Sequence, residues 1–190
     1  MNSINILIVG VGGQGTLLAS KLMGKIFIDA GMDVKVSEVH GMSQRGGSVV
    51  TYVRAGEKVF SPVIDKGEAD VMISFEALES ARWLPYLKKD GVVISNTAQI
   101  DPMPVIMGNA KYPEEVLSLI SEKGIKVVSA DALSLAEQAG SAKAVNIVLL
   151  GIAAKQLGLD KDTCIEAIRA TVPQKTIEIN EKAFNAGFSL

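Results

Sequence analysis

The sequence predicts an α/β fold: a mostly parallel, Rossmann-like three-layer sheet with a small antiparallel insertion and a group of C-terminal helices. Three observations carry that expectation. Short apolar runs at 4–9 and 34–39 flank an amphipathic stretch at 14–29, strand-like and helix-like patterns then alternate, and beyond Asp131 the pattern is helical throughout.

The first run, Ile4 to Val9, reads as a buried strand. Leu18, Leu22 and Ile26 recur at four-residue steps along the helix that follows, so one face can pack on a sheet before Gly31 ends it. Val34 to Val39 is the second strand, and a right-handed crossover is expected to make it a parallel neighbour of the first. The run Ser48 to Arg54 is rich in β-branched and aromatic residues, and Ala55-Gly56-Glu57-Lys58 resembles a hairpin turn into Val59-Phe60-Ser61-Pro62. An antiparallel insertion is therefore expected here.

Asp70 to Phe75, Gly91 to Ser95 and Ile125 to Ser129 supply three further strands, separated by helical patterns at 76–87 and 113–122. The prolines of Asp101-Pro102-Met103-Pro104 suggest an extended crossing. Helices are expected at 142–157, 160–170 and 175–186; the first is apolar almost all round, which makes it either central or part of an interface. Residues 1–190 are read as a single domain.

Composition narrows the function classes. With 48% hydrophobic and 21% charged residues and a net charge of −2, the chain has no basic footprint for nucleic acid. Its apolar runs are too short to span a bilayer, and a cytoplasmic location is expected. One cysteine, Cys164, and one histidine, His40, leave little to build an iron–sulfur or metal site from.

The chemistry of the chain is concentrated in two glycine-rich segments. Gly10, Gly12 and Gly15 of Gly-Val-Gly-Gly-Gln-Gly fit the G-x-G-x-x-G spacing between a strand and a helix. Such a turn can bring bare amides, here from Gly10 to Gly15 with Gly13 and Gln14 between, to the positive end of a helix, where phosphate or carboxylate binds. It can also be only a tight packing turn. Glu38, 23 residues beyond Gly15, has roughly the spacing of a ribose-binding acid or could pair with Arg45. In His40-Gly-Met-Ser-Gln-Arg-Gly-Gly47, Ser43, Gln44, Arg45 and Gly46 could wrap an anion, the guanidinium matching its oxygens. Alternatively, the loop merely turns the chain. His40 could shuttle a proton or serve structure alone. Glu76, Asn96 and Asp131 join the candidates by position, each following a strand at the carboxyl edge of the sheet. No complete catalytic constellation is visible, which points to a subunit or a binding module.

The stretches Asn5 to Gly15 and Ser37 to Arg54, with the late Ala170 to Asn180 segment, resemble the gamma-type subunits of the 2-oxoacid:ferredoxin oxidoreductases, above all those of the indolepyruvate branch. The resemblance runs the whole length. It implies participation in oxidative decarboxylation of an arylpyruvate to an acyl-CoA and carbon dioxide, with electrons passed to ferredoxin. It also implies a large alpha subunit that carries thiamine diphosphate, magnesium and the iron–sulfur clusters, while this chain holds none of them alone and helps to form the coenzyme A region. On that reading Gly12 to Gly15 and Ser43 to Gly46 face coenzyme A phosphates or the substrate carboxylate. Asp90-Gly91 lacks the surroundings of a thiamine diphosphate site.

Three other readings stay open from the residues: a gamma subunit for pyruvate or branched-chain 2-oxoacids, a stand-alone dinucleotide-binding oxidoreductase, and a scaffold module. A homodimer is expected wherever an apolar face is left uncovered.

Overall fold

The computed structural model describes residues 3–39 and 47–190. Its chain order is β1 (Ile4–Val11), α1 (Thr16–Asp29), β2 (Asp33–Val39), β3 (Ser48–Gly56), β4 (Ala69–Ser74), α2 (Ala77–Trp83), β5 (Leu87–Asn96), α3 (Met103–Ile106), α4 (Val116–Glu122), β6 (Lys126–Ala130), α5 (Ala132–Ala139), α6 (Val145–Gln156), α7 (Lys161–Thr171) and α8 (Ile177–Ser189).

Six strands form one sheet in the order β2-β3-β1-β4-β5-β6. The pairs β1–β4, β4–β5 and β5–β6 are parallel, and β3 runs antiparallel to both of its neighbours. The alternation of side chains along each strand divides the interior into two cores. Ile6, Ile8, Val71, Ile73 and Ile94 pack with α1 and α5 to α8 on one face, whereas Leu7, Val9, Met72 and Val93 pack with Val116 and Ile120 of α4 on the other. The three-layer α/β expectation holds.

Three local expectations are corrected. β2 is not beside β1, because β3 inserts between them, pairing Ile4 with Ala55 on one edge and Val34 with Ala55 on the other. No hairpin forms at 55–62: β3 ends at Gly56, and the following loop is held by the guanidinium of Arg54, whose Nη1 donates to the carbonyls of Ser61 (3.4 Å) and Val63 (2.8 Å). The proline-rich crossing contains the short helix α3, with Pro102 at its N-cap and Pro104 in the first turn, where a missing N–H costs nothing.

The apolar helix is central. Nine consecutive residues of α6, Asn146 to Ala154, are buried. Against α8 the backbones come so close that a Cβ on Gly187 would lie 2.0 Å from the Val148 carbonyl oxygen, and one on Gly151 would lie 2.3 Å from that of Phe184. Only glycine permits that approach.

Candidate functional site

Crossovers leave β1 in opposite directions along the sheet: α1 leads toward β2, while the strands of the other half continue through β4, β5 and β6. The crevice between the carboxyl ends of β1 and β4 is therefore the switch point, where open α/β sheets bind ligands. A cleft of about 520 Å³ lies there, lined by Gly13, Gln14 and Gly15 after β1, Phe75 after β4, Asn96 at the end of β5, and Leu133, Lys143 and Val145 from the helical side.

The turn after β1 is built from its own side chains. Gln14 folds back so that its Oε1 accepts the Val11 N–H (2.7 Å) and its Nε2 donates to the Phe75 carbonyl (3.1 Å). A Cβ on Gly10 would stand 2.7 Å from that same Oε1, so Gly10 makes room for Gln14. Gly15, at φ +87°, occupies the N-cap of α1 with no side chain to satisfy the helix. Gly12 donates its N–H to the carbonyl of Gly47 at 2.9 Å, so this amide is used internally. The amides of Gly13 and Gly15 meet no acceptor among the described residues.

Behind them, Asn146 donates its Nδ2 to the Gly15 carbonyl at 3.3 Å. Lys143 is exposed on the 3₁₀ turn Ala142–Ala144 that leads into α6, and makes no ion pair among the described residues. The amides of Gly13, in the turn, and Gly15, at the N-cap of α1, and an ammonium that pairs with no described residue thus border one open cleft.

Three positional candidates perform structural work at its edge. Asn96, 3% exposed, donates Nδ2 to the Phe75 carbonyl (3.3 Å) and accepts the Ala132 N–H (3.1 Å). Asp131 caps α5 by accepting from the Ser134 N–H at 3.0 Å, and its hydrogen bonds to Ser134 hold its carboxyl below the usual range. Glu76, 1% exposed, caps α2 and accepts from the N–H of Glu79 (2.9 Å), the N–H of Ile100 (3.1 Å) and the Tyr112 hydroxyl. Burial and that carboxylate push the Tyr112 phenol well above its ordinary value.

Glu38 lies near the end of β2, opposite Thr51 of β3. A whole strand separates it from the glycine turn, unlike the acid of a dinucleotide crevice, which stands on the strand next to β1. His40, Ser43, Gln44, Arg45 and Gly46 lie outside the described residues, but Gly47, which follows them, touches Gly12. Cys164 is fully buried in α7, and burial raises its thiol to about 11, so it is poorly suited to a metal or a redox partner. Asp90 and Gly91 sit in β5 at the opposite end of the sheet.

Lys143 was missed by reading the sequence. Its signal is Gly140-Ser141 before an apolar helix, a cap pattern in which Ser141 Oγ accepts the Lys143 N–H at 3.3 Å.

The model of the pyruvate ferredoxin/flavodoxin oxidoreductase family matches residues 5–190, and the chain belongs to that family. Indolepyruvate oxidoreductase subunit IorB of Thermococcus kodakarensis is 45% identical over 192 residues, covering 98% of this chain and 95% of the relative. The protein of the same designation from Archaeoglobus fulgidus is 40% identical over 98% of this chain and 94% of its own length. Among solved structures, the gamma subunit of a keto/oxoacid ferredoxin oxidoreductase from Geobacter sulfurreducens superposes with a TM-score of 0.74 at 23% identity, covering 98% of this chain and 96% of that one. The 2-oxoglutarate:ferredoxin oxidoreductase of Magnetococcus marinus, solved with 2-oxoglutarate, coenzyme A and succinyl-CoA bound, superposes with a TM-score of 0.75 at 17% identity, covering this whole chain and 31% of its own. These likenesses establish the fold, and the sequence relatives establish a subunit of an oxidoreductase complex.

Proposed function

We propose that this chain is the small subunit of a cytoplasmic enzyme that oxidatively decarboxylates arylpyruvates, indolepyruvate among them, and that it forms one wall of the coenzyme A site. The observation that carries the reading is the open cleft at the β1/β4 switch point, bordered by Lys143 and by the N–H groups of Gly13 and Gly15, which meet no acceptor among the described residues. The names of its relatives supply the substrate class.

The donor set suits a phosphate. Amides at a helix N-terminus and an ammonium bind oxyanions without requiring a titrating group. Leu133 and Val145 give the cleft apolar sides, suited to a less polar arm of the same molecule. A single buried thiol cannot ligate a cluster, so the redox centres belong to a larger partner. Thiamine diphosphate and iron–sulfur clusters there would supply decarboxylation and electron transfer to ferredoxin. This chain binds and orients: Gln14 and Asn96 fix the floor of the cleft, and Gly13, Gly15 and Lys143 hold the anion.

The test is to reconstitute the chain with its large partner and follow coenzyme A-dependent reduction of ferredoxin or a viologen across several 2-oxoacids. Preference for indolepyruvate, with a KM for coenzyme A that rises in Lys143→Ala, supports the proposal. Activity independent of this chain, or a KM untouched by the substitution, overturns it. Arg45→Ala in the same assay tests the second glycine-rich segment.

A further inference from the structure

We infer that Glu79 is a positioning residue for the glycine turn, acting through Ser48 and Gly47; the inference rests on the anion-binding reading of that turn. Glu79 is 4% exposed in the first turn of α2, a rare degree of burial for an acid. Ser48 donates its hydroxyl proton to Glu79 Oε2, and the Ser48 Oγ accepts the indole N–H of Trp83 at 3.2 Å. Both ends of α2 therefore grip the first residue of β3.

Ser48 stands opposite Val11 in the β1–β3 ladder, and Gly47 just before it receives the Gly12 N–H at 2.9 Å. The contacts run from Glu79 through Ser48 and Gly47 to Gly12, and end in the turn where Gly13 and Gly15, whose N–H groups meet no described acceptor, border the cleft.

Helix capping does not account for the acid, because Glu76 already accepts the Glu79 N–H at 2.9 Å. Among the described residues, the charged groups facing Glu79 are Arg82, whose Nε is 3.4 Å from Oε1 and whose side chain is 47% exposed, and the like charge of Glu76. Ser48 is thus the partner that ties Oε2 to the sheet. Without an acceptor there, the end of β3 is released on the α2 side, the Gly12–Gly47 bond loosens, and the neighbouring amides lose their preset aim. Anion binding weakens while the chemical step in the partner continues.

In the reconstituted complex, Glu79→Leu should raise the KM for coenzyme A about two- to tenfold, the scale of one net hydrogen bond, with kcat unchanged. Glu79→Gln, whose amide oxygen still accepts from Ser48, should restore it. On the full 190-residue chain, amide exchange at Gly12 should quicken about two- to tenfold in the leucine variant while α6 keeps its protection. Should that variant lose protection throughout, Ser48→Ala replaces it with the same expectations. If Lys143→Ala raises the KM and Glu79→Leu leaves it alone, the positioning role is overturned and the anion site stands. If Gly12 exchange quickens but neither substitution moves the KM, the anion site falls and the hold of Glu79 on the turn stands.

Discussion

Gln14 and Asn96 meet at one main-chain oxygen: the side-chain amides of both donate to the carbonyl of Phe75, at 3.1 and 3.3 Å. Through it the carboxyl ends of β1, β4 and β5 are fastened together beneath the cleft. Gln14→Ala leaves the Val11 N–H and half of that junction unmatched, and should cost about 1–3 kcal/mol, because a part-buried donor loses its acceptor. Urea unfolding checks the loss, and a midpoint equal to wild type would contradict the bracing role.

Lys143 should act mainly through charge. On the proposed coenzyme A site, Lys143→Glu replaces attraction by repulsion, and the lost charge-assisted contact of about 1.5–3 kcal/mol should weaken coenzyme A binding roughly ten- to hundredfold. The penalty should shrink as salt is raised, since exposed charges are screened. Calorimetric titration of the assembled complex at two ionic strengths decides it; a penalty indifferent to salt would place the effect elsewhere.

Two glycines should lose stability to alanine by different amounts. At Gly187 the added methyl would lie 2.0 Å from the Val148 oxygen, so α6 and α8 must separate, at about 3 kcal/mol or more. At Gly13 an added Cβ would meet no described atom within 4 Å apart from its chain neighbours, and the φ of +100° resists, at about 1–2 kcal/mol. Thermal melts of the two variants should therefore differ clearly, Gly187→Ala being the lower.

Burial holds the Glu79 carboxyl above the ordinary carboxylate range, against the opposing pull of Ser48 and Arg82. The folded state keeps that proton more tightly than the unfolded state. The stability Glu79 contributes is thus complete at low pH and is lost as pH climbs through the ordinary value toward the raised one. Relative to wild type, Glu79→Gln should gain stability as pH rises from the ordinary carboxylate value toward the raised one. Denaturation curves across that interval test the sign, and a difference that is flat in pH would show that the carboxyl is not elevated.

Period and punctuation made most of this architecture readable. The apolar run Ile4 to Val9, four-residue steps in α1, a helix beginning at about Asp160, and the unbroken apolarity of α6 each reflect local physics that the folded chain keeps. Strand neighbours were not legible in the same way. A strand–helix–strand unit fixes the handedness and direction of β2, but it does not prevent a later strand from pairing along both edges, as Val53 does with Ile6 and Val36. The turn signals at Ala55-Gly56 marked a real strand end, but with Pro62 in the next run and Arg54 binding its carbonyls there was no ladder for it to enter. In the site, Gly13 and Gly15 were visible because glycine spacing is local. Lys143 reaches the same cleft, and Glu79 the strand beside it, only through tertiary contacts that no spacing encodes.

The insertion of β3 also bears on the order of assembly. β2 touches the sheet only through a segment made later, so the opening strand–helix–strand cannot close on itself as the chain emerges. Until residue 56 has been added, Val34 and Val36 have no ladder to join, and β2 must wait beside α1 as an unpaired ribbon. The pairing nearest in sequence is then β2 with β3, across residues 40–47, and β1 must close a longer loop to reach the other edge of β3, a step that costs more chain entropy than joining β2 to β3.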